Sequence, residues 1–486
     1  MTNIRIDCLP EPQLTFAGGA SGVDPRALLA KHGALDAGNN ADVRLGLVGT
    51  AHDVAAAKAW LAKLHLMSPA REKNARRHRD WPGSLKAFGC RFVTSTERVI
   101  DSERLANARA QPNQIARFDE LVNIFAAKIE SLYGDTRPDA IIVCLPDEEA
   151  DLRISNPALT AQQRDALARL QKEEEQDQMS LFQPTPEELK AAEDLRTEAE
   201  HLLFRSFYRA LKARVMLHPN AVPIQVVRRD TFSRADHEGQ SRATRSWHLA
   251  TSLYYKAGRR PWAPSDLTPN TCFIGVTFHH LKRRQGDVVY ASVAQAVSSE
   301  VEPFALQGAT IDHHQRRDRQ PYLLKEQAAD LMSRVLKKYE ELTSVLPSRV
   351  VVHKTTMYQP EEQDGFTSAA RPIVPAIDLV WLRSSPLRLI RRGTEEPWRG
   401  TLCHLADESY LFTSGYVPWW EEYPGPHIPS PLQIGLCGKG DDRARARDPR
   451  PHKDELEFER RNRSPSHNAV LRPQGWNADD GVAGWN

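Results

Sequence analysis

Six consecutive apolar residues, Ala140 to Leu145 (AIIVCL), constrain the fold of this chain more than any other feature. The run has no polar alternation, so both faces of the strand it forms need cover. That is the condition of a central strand in a parallel sheet packed under helices. Upstream, VRLGLVGT (43–50) is a second apolar run, and AHDVAAAKAWLAKLHL follows it with Val54, Trp60, Leu61 and Leu64 at helical spacing. Strand then helix is the unit of doubly wound α/β layers. A further helix is expected over FDELVNIFAAKIESLYG, before Arg137-Pro138 leads into the central strand. At 486 residues the chain exceeds what one core usually serves, so a second domain is expected.

Total charge names no partner, with 65 Lys+Arg against 63 Asp+Glu, but its distribution is informative. Residues 171–200 carry ten acidic and three basic side chains and read as part of a solvated insertion at about 150–200. Residues 208–262 carry eleven Lys/Arg against three acids, interleaved with Tyr208, Trp247, Tyr254, Tyr255 and Trp262. Basic residues among aromatics suit phosphate neutralisation and base stacking. An ordinary basic face has the same composition, yet the contrast with the acidic stretch beside it favours an anionic ligand. Six cysteines, at 8, 90, 144, 272, 403 and 437, form no C-x-x-C pair. A disulfide scaffold and a cysteine zinc site are therefore not expected, and a reducing cytosol is. No leader pattern opens the sequence and no apolar run is long enough for a membrane span, so a cytoplasmic protein without membrane contact is expected.

The second half changes pattern. CFIGVTFHH (272–280), DVVYASVAQAVSS (287–299) and EPFALQGATI (302–311) predict three successive strands. KEQAADLMSRVLKKYEEL predicts a helix with Ala328, Leu331, Val335, Leu336 and Tyr339 near one face, and RVVVHKT another strand. Three antiparallel strands, a helix and a strand beside the first is the opening order of a ribonuclease H fold, an analogy of element order alone. His279-His280 and His313-His314 are better read as surface histidines than metal ligands, because adjacent strand residues point to opposite faces. GLCGKGDD lacks phosphate-loop spacing.

Taken in order, LPEPQLTFAGG, ATRSWHLATSLYYKAGRRPWAP, FIGVTF, VVVHKT, YLFTSGYVP and YVPWWEEYPGPHIPSPLQI resemble the short prokaryotic Argonautes. These consist of a MID and a PIWI domain without N and PAZ domains. The resemblance implies an α/β chain with a Rossmann-like MID domain at 1–268 and a ribonuclease H-like PIWI domain at 269–435. It places a guide 5′-phosphate pocket at Tyr208, Lys212, Gln225 and Lys256. Tyr208 and Lys212 share a helical face at i, i+4. The ring can stack on the first guide base, the lysines neutralise the phosphate, and the glutamine amide gives a directional hydrogen bond. The slicer carboxylates of the family fall on Thr277, in Ile274-Gly275-Val276-Thr277, and Thr355, in His353-Lys354-Thr355. A neutral hydroxyl does not replace a carboxylate on a hard cation, so target slicing is not expected. The implied partners are a guide RNA, a single-stranded DNA target from invading plasmids or phages, and a separate APAZ-containing effector. That effector would carry a TIR, sirtuin-like or nuclease domain, acting by NAD depletion or DNA degradation in abortive infection. No catalytic cofactor is implied, and Mg²⁺ beside the guide 5′ phosphate is the one metal to consider. The alternatives are an active ribonuclease H-like guided nuclease using carboxylates such as Asp312 or Asp378, and a structural subunit with a non-functional pocket.

Residues 436–486 depart from the family pattern, which closes on an element approximating R-E-I-L-x-L-T-K-M-N-W-N. The stretch ARARDPRPHKDELEF (444–458) has no periodic apolar face and reads as an irregular tail. With suitable synonymous codons, the same stretch read one base later gives P-A-R-E-I-L-A-L-T-K-M-N-W-N. Two readings therefore stand for this tail, a charged irregular end and a shifted reading frame. On the second, resequencing the coding DNA between the codons for Ile434 and Arg447 should reveal a missing or extra base; an intact frame there removes the idea.

Overall fold

The computed structural model describes residues 4–38, 41–135, 137–146, 153–154, 205–235, 239–265, 267–283, 286–298, 304–311, 316–317, 320–393, 396–405, 408–425 and 427–437. The acidic stretch at 171–200 and the tail from 438 lie outside them. In chain order, the first elements are β1 (Ile4–Cys8), β2 (Val43–Thr50), α1 (Ala51–Leu61), β3 (Phe92–Ile100), α2 (Gln114–Glu130), β4 (Ala140–Leu145), α3 (Phe207–Met216), β5 (Ile224–Arg228) and α4 (Arg242–Lys256). Strands β3, β2, β4 and β5 lie side by side in that order, all parallel.

The apolar run at 140–145 occupies the interior position that its pattern predicts. Ala140, Ile142 and Cys144 enter one core with Val54, Trp60 and Leu61 of α1 and Trp247, Leu253 and Tyr254 of α4. Ile141, Val143 and Leu145 enter another with Phe118, Leu121 and Phe125 of α2 and Phe207, Leu211 and Val215 of α3. Burying a large aliphatic side chain contributes roughly 1.5–3 kcal/mol, so each face has its own reason to recruit helices. At the β2–α1 junction the Thr50 hydroxyl accepts from the Asp53 N–H at 3.3 Å, capping α1.

The second sheet adds β6 (Thr271–Arg283), β7 (Gly286–Val297), β8 (Phe304–Ile311), α5 (Lys325–Thr343), β9 (Arg349–Lys354), α6 (Pro360–Ala370), β10 (Ala376–Ser384), β11 (Thr401–Leu405), β12 (Glu408–Leu411) and β13 (Leu432–Cys437). Its order is β1-β11-β12-β13-β10-β9-β6-β7-β8. Strands β6, β7 and β8 form an antiparallel meander, and β9 returns after α5 to lie parallel to β6, from Thr271↔Arg349 to Val276↔Lys354. This is the ribonuclease H order that the element pattern predicts. The α5 residues Ala328, Leu331, Val335, Leu336 and Tyr339 are buried against Cys272, Ile274, Val276, Val350 and Val352. Gly365 of α6 allows the close approach to α5, since a Cβ there would sit 2.3 Å from the Lys325 carbonyl oxygen.

Strand β1 departs from the expected grouping of residues 1–268. It pairs antiparallel with β11, Ile4 with Leu405 through Cys8 with Thr401, at the edge of the second sheet. Its I-R-I-D pattern marks a strand, but nothing local to it encodes a partner so far along the chain.

Beneath the second sheet lies a fully buried ion pair. Lys354 donates to both carboxylate oxygens of Glu362, at 2.6 and 2.5 Å, and to the Met357 carbonyl at 3.1 Å. Glu362 also accepts from the backbone N–H groups of Leu323, at 2.7 Å, and Gln359, at 2.8 Å. The ammonium sits 5.3 Å from the Phe278 ring centre and 5.0 Å from that of Tyr358. Burial lowers the Lys354 pKa, and Glu362 opposes the shift. One cluster thus ties the end of β9 to the starts of α5 and α6. Breaking one side of such a pair costs about 3–5 kcal/mol. Glu362→Gln should accordingly lower the denaturant midpoint sharply, whereas the double change Lys354→Met with Glu362→Leu should recover most of the loss. A single change costing under about 1 kcal/mol would contradict this reading.

Candidate nucleic-acid interface

The four residues expected to form a phosphate pocket gather as two pairs. On α3, the Lys212 ammonium donates to the Tyr208 hydroxyl at 3.0 Å and lies 5.1 Å from its ring centre. On β5, the Gln225 side-chain oxygen accepts from Lys256 at 2.8 Å and from the Ser252 hydroxyl at 2.8 Å, while its amide donates to the Val226 carbonyl at 3.1 Å. Lys256 also donates to Ser252 at 3.3 Å. Both lysines are at least nine-tenths buried, Lys212 at 9% and Lys256 at 8% exposure, so neither is a freely solvated surface cation.

Local structure explains the placement. Tyr208 and Lys212 are one helical turn apart, as the spacing predicts. Lys256 is the last residue of α4, where a cation complements the negative end of the helix dipole. Ser252 was not legible as a site residue, although it lies at i, i+4 from Lys256 and therefore faces the same way. Helices α3 and α4 pack in the cores on opposite faces of the sheet. Strand β5 is at its edge, where Gln225, Ser252 and Lys256 meet, while Tyr208 and Lys212 stand on α3 over the other face.

Thr277 and Thr355, on which the resemblance places the slicer carboxylates, are near in register in the second sheet. The last β6–β9 register pair is Val276 with Lys354, so Thr277 follows on β6 and Thr355 is the first residue beyond the end of β9. Thr277 is also paired in register with Ser292 of β7. Two hydroxyls there offer neutral oxygens, which do not meet the charge demand of divalent cations. Asp378 stands elsewhere: it pairs in register with Val351, four residues before Thr355, or about 13 Å along the strand. It is 5% exposed and accepts from Arg349 Nε at 2.8 Å, with Arg349 Nη2 also at 2.8 Å. Asp312, His313 and His314 lie outside the described residues, as do the side chains of His279 and His280. Among the described residues, no group of three or more His, Cys, Asp or Glu side chains is placed to hold a metal ion. No described helix is long and apolar enough to cross a membrane.

No family model matches the sequence, and no curated protein does. Similarity to solved structures is extensive at the level of the fold. A Clostridium butyricum Argonaute, bound to a guide DNA and a 19-mer target DNA, aligns with 99% of this chain and 52% of its own length, with a TM-score of 0.59 and 13% identity. Drosophila Piwi aligns with 95% of this chain and 51% of its own, at 0.54 and 13%. An A. aeolicus Argonaute aligns with 96% and 50%, at 0.50 and 13%. The two sheets together therefore define an Argonaute-like MID–PIWI fold. This chain spans about half the length of the proteins that share it.

Proposed function

We propose that this chain is the guide-binding subunit of a prokaryotic defence system, in which a guide RNA recognises single-stranded DNA of an invading plasmid or phage. The observation carrying this reading is the two buried lysines, Lys256 held by Gln225 at the edge of the MID-like sheet and Lys212 held by Tyr208 on α3, within a fold whose solved neighbour is bound to guide and target strands. A phosphate placed across the edge of β5 would meet Lys256, already oriented by Gln225 and Ser252, and Lys212, oriented by Tyr208. The tyrosine ring would take the first base. Two ammonium groups supply the charge for which Mg²⁺ is otherwise invoked; a metal there would have to act alongside them. Base pairing would then read sequence while the protein holds phosphates and shape, a division of labour known in other guided systems.

The same reading assigns no cleavage to this chain. It takes Thr277 and Thr355 as standing where the resemblance puts the metal-binding carboxylates, and it is supported by Asp378 being engaged by Arg349 away from them. Chemistry would belong to a separate APAZ-containing effector, with a TIR, sirtuin-like or nuclease domain, that responds to target binding in the cytoplasm. The competing reading, a guided nuclease, has no described residue set in its favour.

Hydrogen bonds to a charged group are each worth roughly 1.5–3 kcal/mol. Lys256→Ala and Lys212→Ala should each weaken binding of a 5′-phosphorylated guide about ten- to hundredfold, with a much smaller effect on the 5′-hydroxyl strand. Equal losses for both strands would remove the pocket assignment.

A second prediction concerns chemistry. With guide, complementary target and Mg²⁺ or Mn²⁺, the purified chain should leave the target intact on a denaturing gel. A cut at a fixed distance from the guide 5′ end would establish the nuclease alternative.

A further inference from the structure

Residues 68–81 form a closed loop between the two sheets that neither the fold nor the pocket accounts for. Ser68 and Trp81 exchange backbone hydrogen bonds at 2.9 and 2.8 Å, which joins the ends of the loop. Inside it, the Asn74 side-chain oxygen accepts from the N–H groups of Arg76 and Arg77, both at 3.1 Å, and fixes a turn.

One side of this loop grips helix α4. The Glu72 carboxylate sits at the helix N-terminus, accepting from the Ser241 N–H at 3.0 Å, the Ser241 hydroxyl at 2.8 Å and the Thr244 hydroxyl at 2.6 Å. Burial raises its pKa, but these hydrogen bonds prevail and bring it down to about 2, so the cap is ionised at neutral pH. Further along, Trp247 donates to the carbonyls of Arg79 and Asp80, at 3.1 and 3.2 Å, and its ring meets that of Trp81 edge-on at 4.9 Å.

The other side grips the turn at 420–422, which belongs to the connection between β12 and β13 of the PIWI-like sheet. Asn74 donates to the Trp420 carbonyl at 2.9 Å and to Glu422 at 2.6 Å. Arg77 donates to Glu422 at 3.0 Å, and Arg76 pairs with Glu421. Helix α4 has 15 residues, and a rise of about 1.5 Å per residue carries this grip roughly 22 Å to Lys256 at its far end.

We infer that the 68–81 loop is a bracket whose Glu72, Asn74 and Arg77 are positioning residues for the phosphate pocket, setting through helix α4 where Lys256 and Ser252 stand opposite Gln225, and doing so only while the PIWI-like turn at 420–422 is seated. This inference rests on the pocket reading above and adds a dependence of that pocket on the second sheet. A packed helix moves as a unit, so a shift at its capped end displaces the lysine at the other. Gln225, on β5, does not move with it.

The test uses the full chain and two oligonucleotides of one sequence, one 5′-phosphorylated and one 5′-hydroxyl, with the ratio of their Kd values as the readout. Arg77→Glu and Glu422→Arg should each reduce the preference for phosphate about fivefold, consistent with losing a partly exposed ion pair, with little change for the hydroxyl strand. The double variant, which restores the pair with reversed polarity, should recover the preference. Thermal melting identifies any variant that fails to fold, and Arg77→Ala, Glu422→Gln and Glu72→Gln then replace it with the same expectation. Lys256→Ala is the control that separates the two readings. If it leaves the preference intact, the pocket reading falls and the bracket with it. If it abolishes the preference while folded bracket variants keep theirs, or lose affinity for both strands equally, only the bracket falls. Failure of the double variant to recover also overturns it.

Discussion

Burial of strands on both faces is the constraint from which the rest of the molecule follows. A strand such as β4, apolar at every position, is stable only with helices on each side. Here α4 ends beside the edge strand β5 and brings Ser252 and Lys256 to Gln225. Packing sets Lys256 against Gln225 of that strand, while Lys212 is carried by α3 in the core on the opposite face. The lysines are held by neighbouring oxygen atoms rather than by their own flexible stems, so little side-chain freedom is left to them.

What could be read from residues alone divides along the range of the interactions involved. The strands at 43–50 and 140–145, the meander from 271 to 311 and the return of β9 were legible because each depends on periodicity within its own segment. The i, i+4 relation of Tyr208 and Lys212 was legible for the same reason. Which face of the sheet each helix would cover was not, because it depends on how connections cross, and so the division of the pocket into two pairs came only with coordinates. Ser252 was missed since a serine within a helix has no signature of its own. The bracket was missed because Glu72 stands beside a basic run, REKNARRHR, whose composition resembles a solvated surface. Its carboxylate is a cap for a helix that begins at Arg242, far along the chain.

In the second sheet, the polar residues inside the fold are spent on architecture. Lys354 and Glu362 fasten β9 to two helices, and Arg349 holds Asp378 across neighbouring strands. Where β9 ends beside the middle of β6, the chain presents Thr277 and Thr355. A sheet of this type can carry a paired duplex without metals, because shape and phosphate contacts need only hydroxyls, amides and cations. Slicing needs fixed negative charge at the same ends.

The pairing of β1 with β11 has a consequence for biosynthesis. Ile4 meets Leu405, so once made β1 must wait about 400 residues for its neighbour. Everything between, including the whole parallel sheet, is translated before that edge can close. Contacts of such long sequence separation form late and slowly. In the interval β1 is an unpaired strand with Ile4 and Ile6 open to whatever edge is nearby. Because β1 pairs with β11, the parallel-sheet unit is enclosed within one covalent circuit rather than strung before its neighbour like a bead.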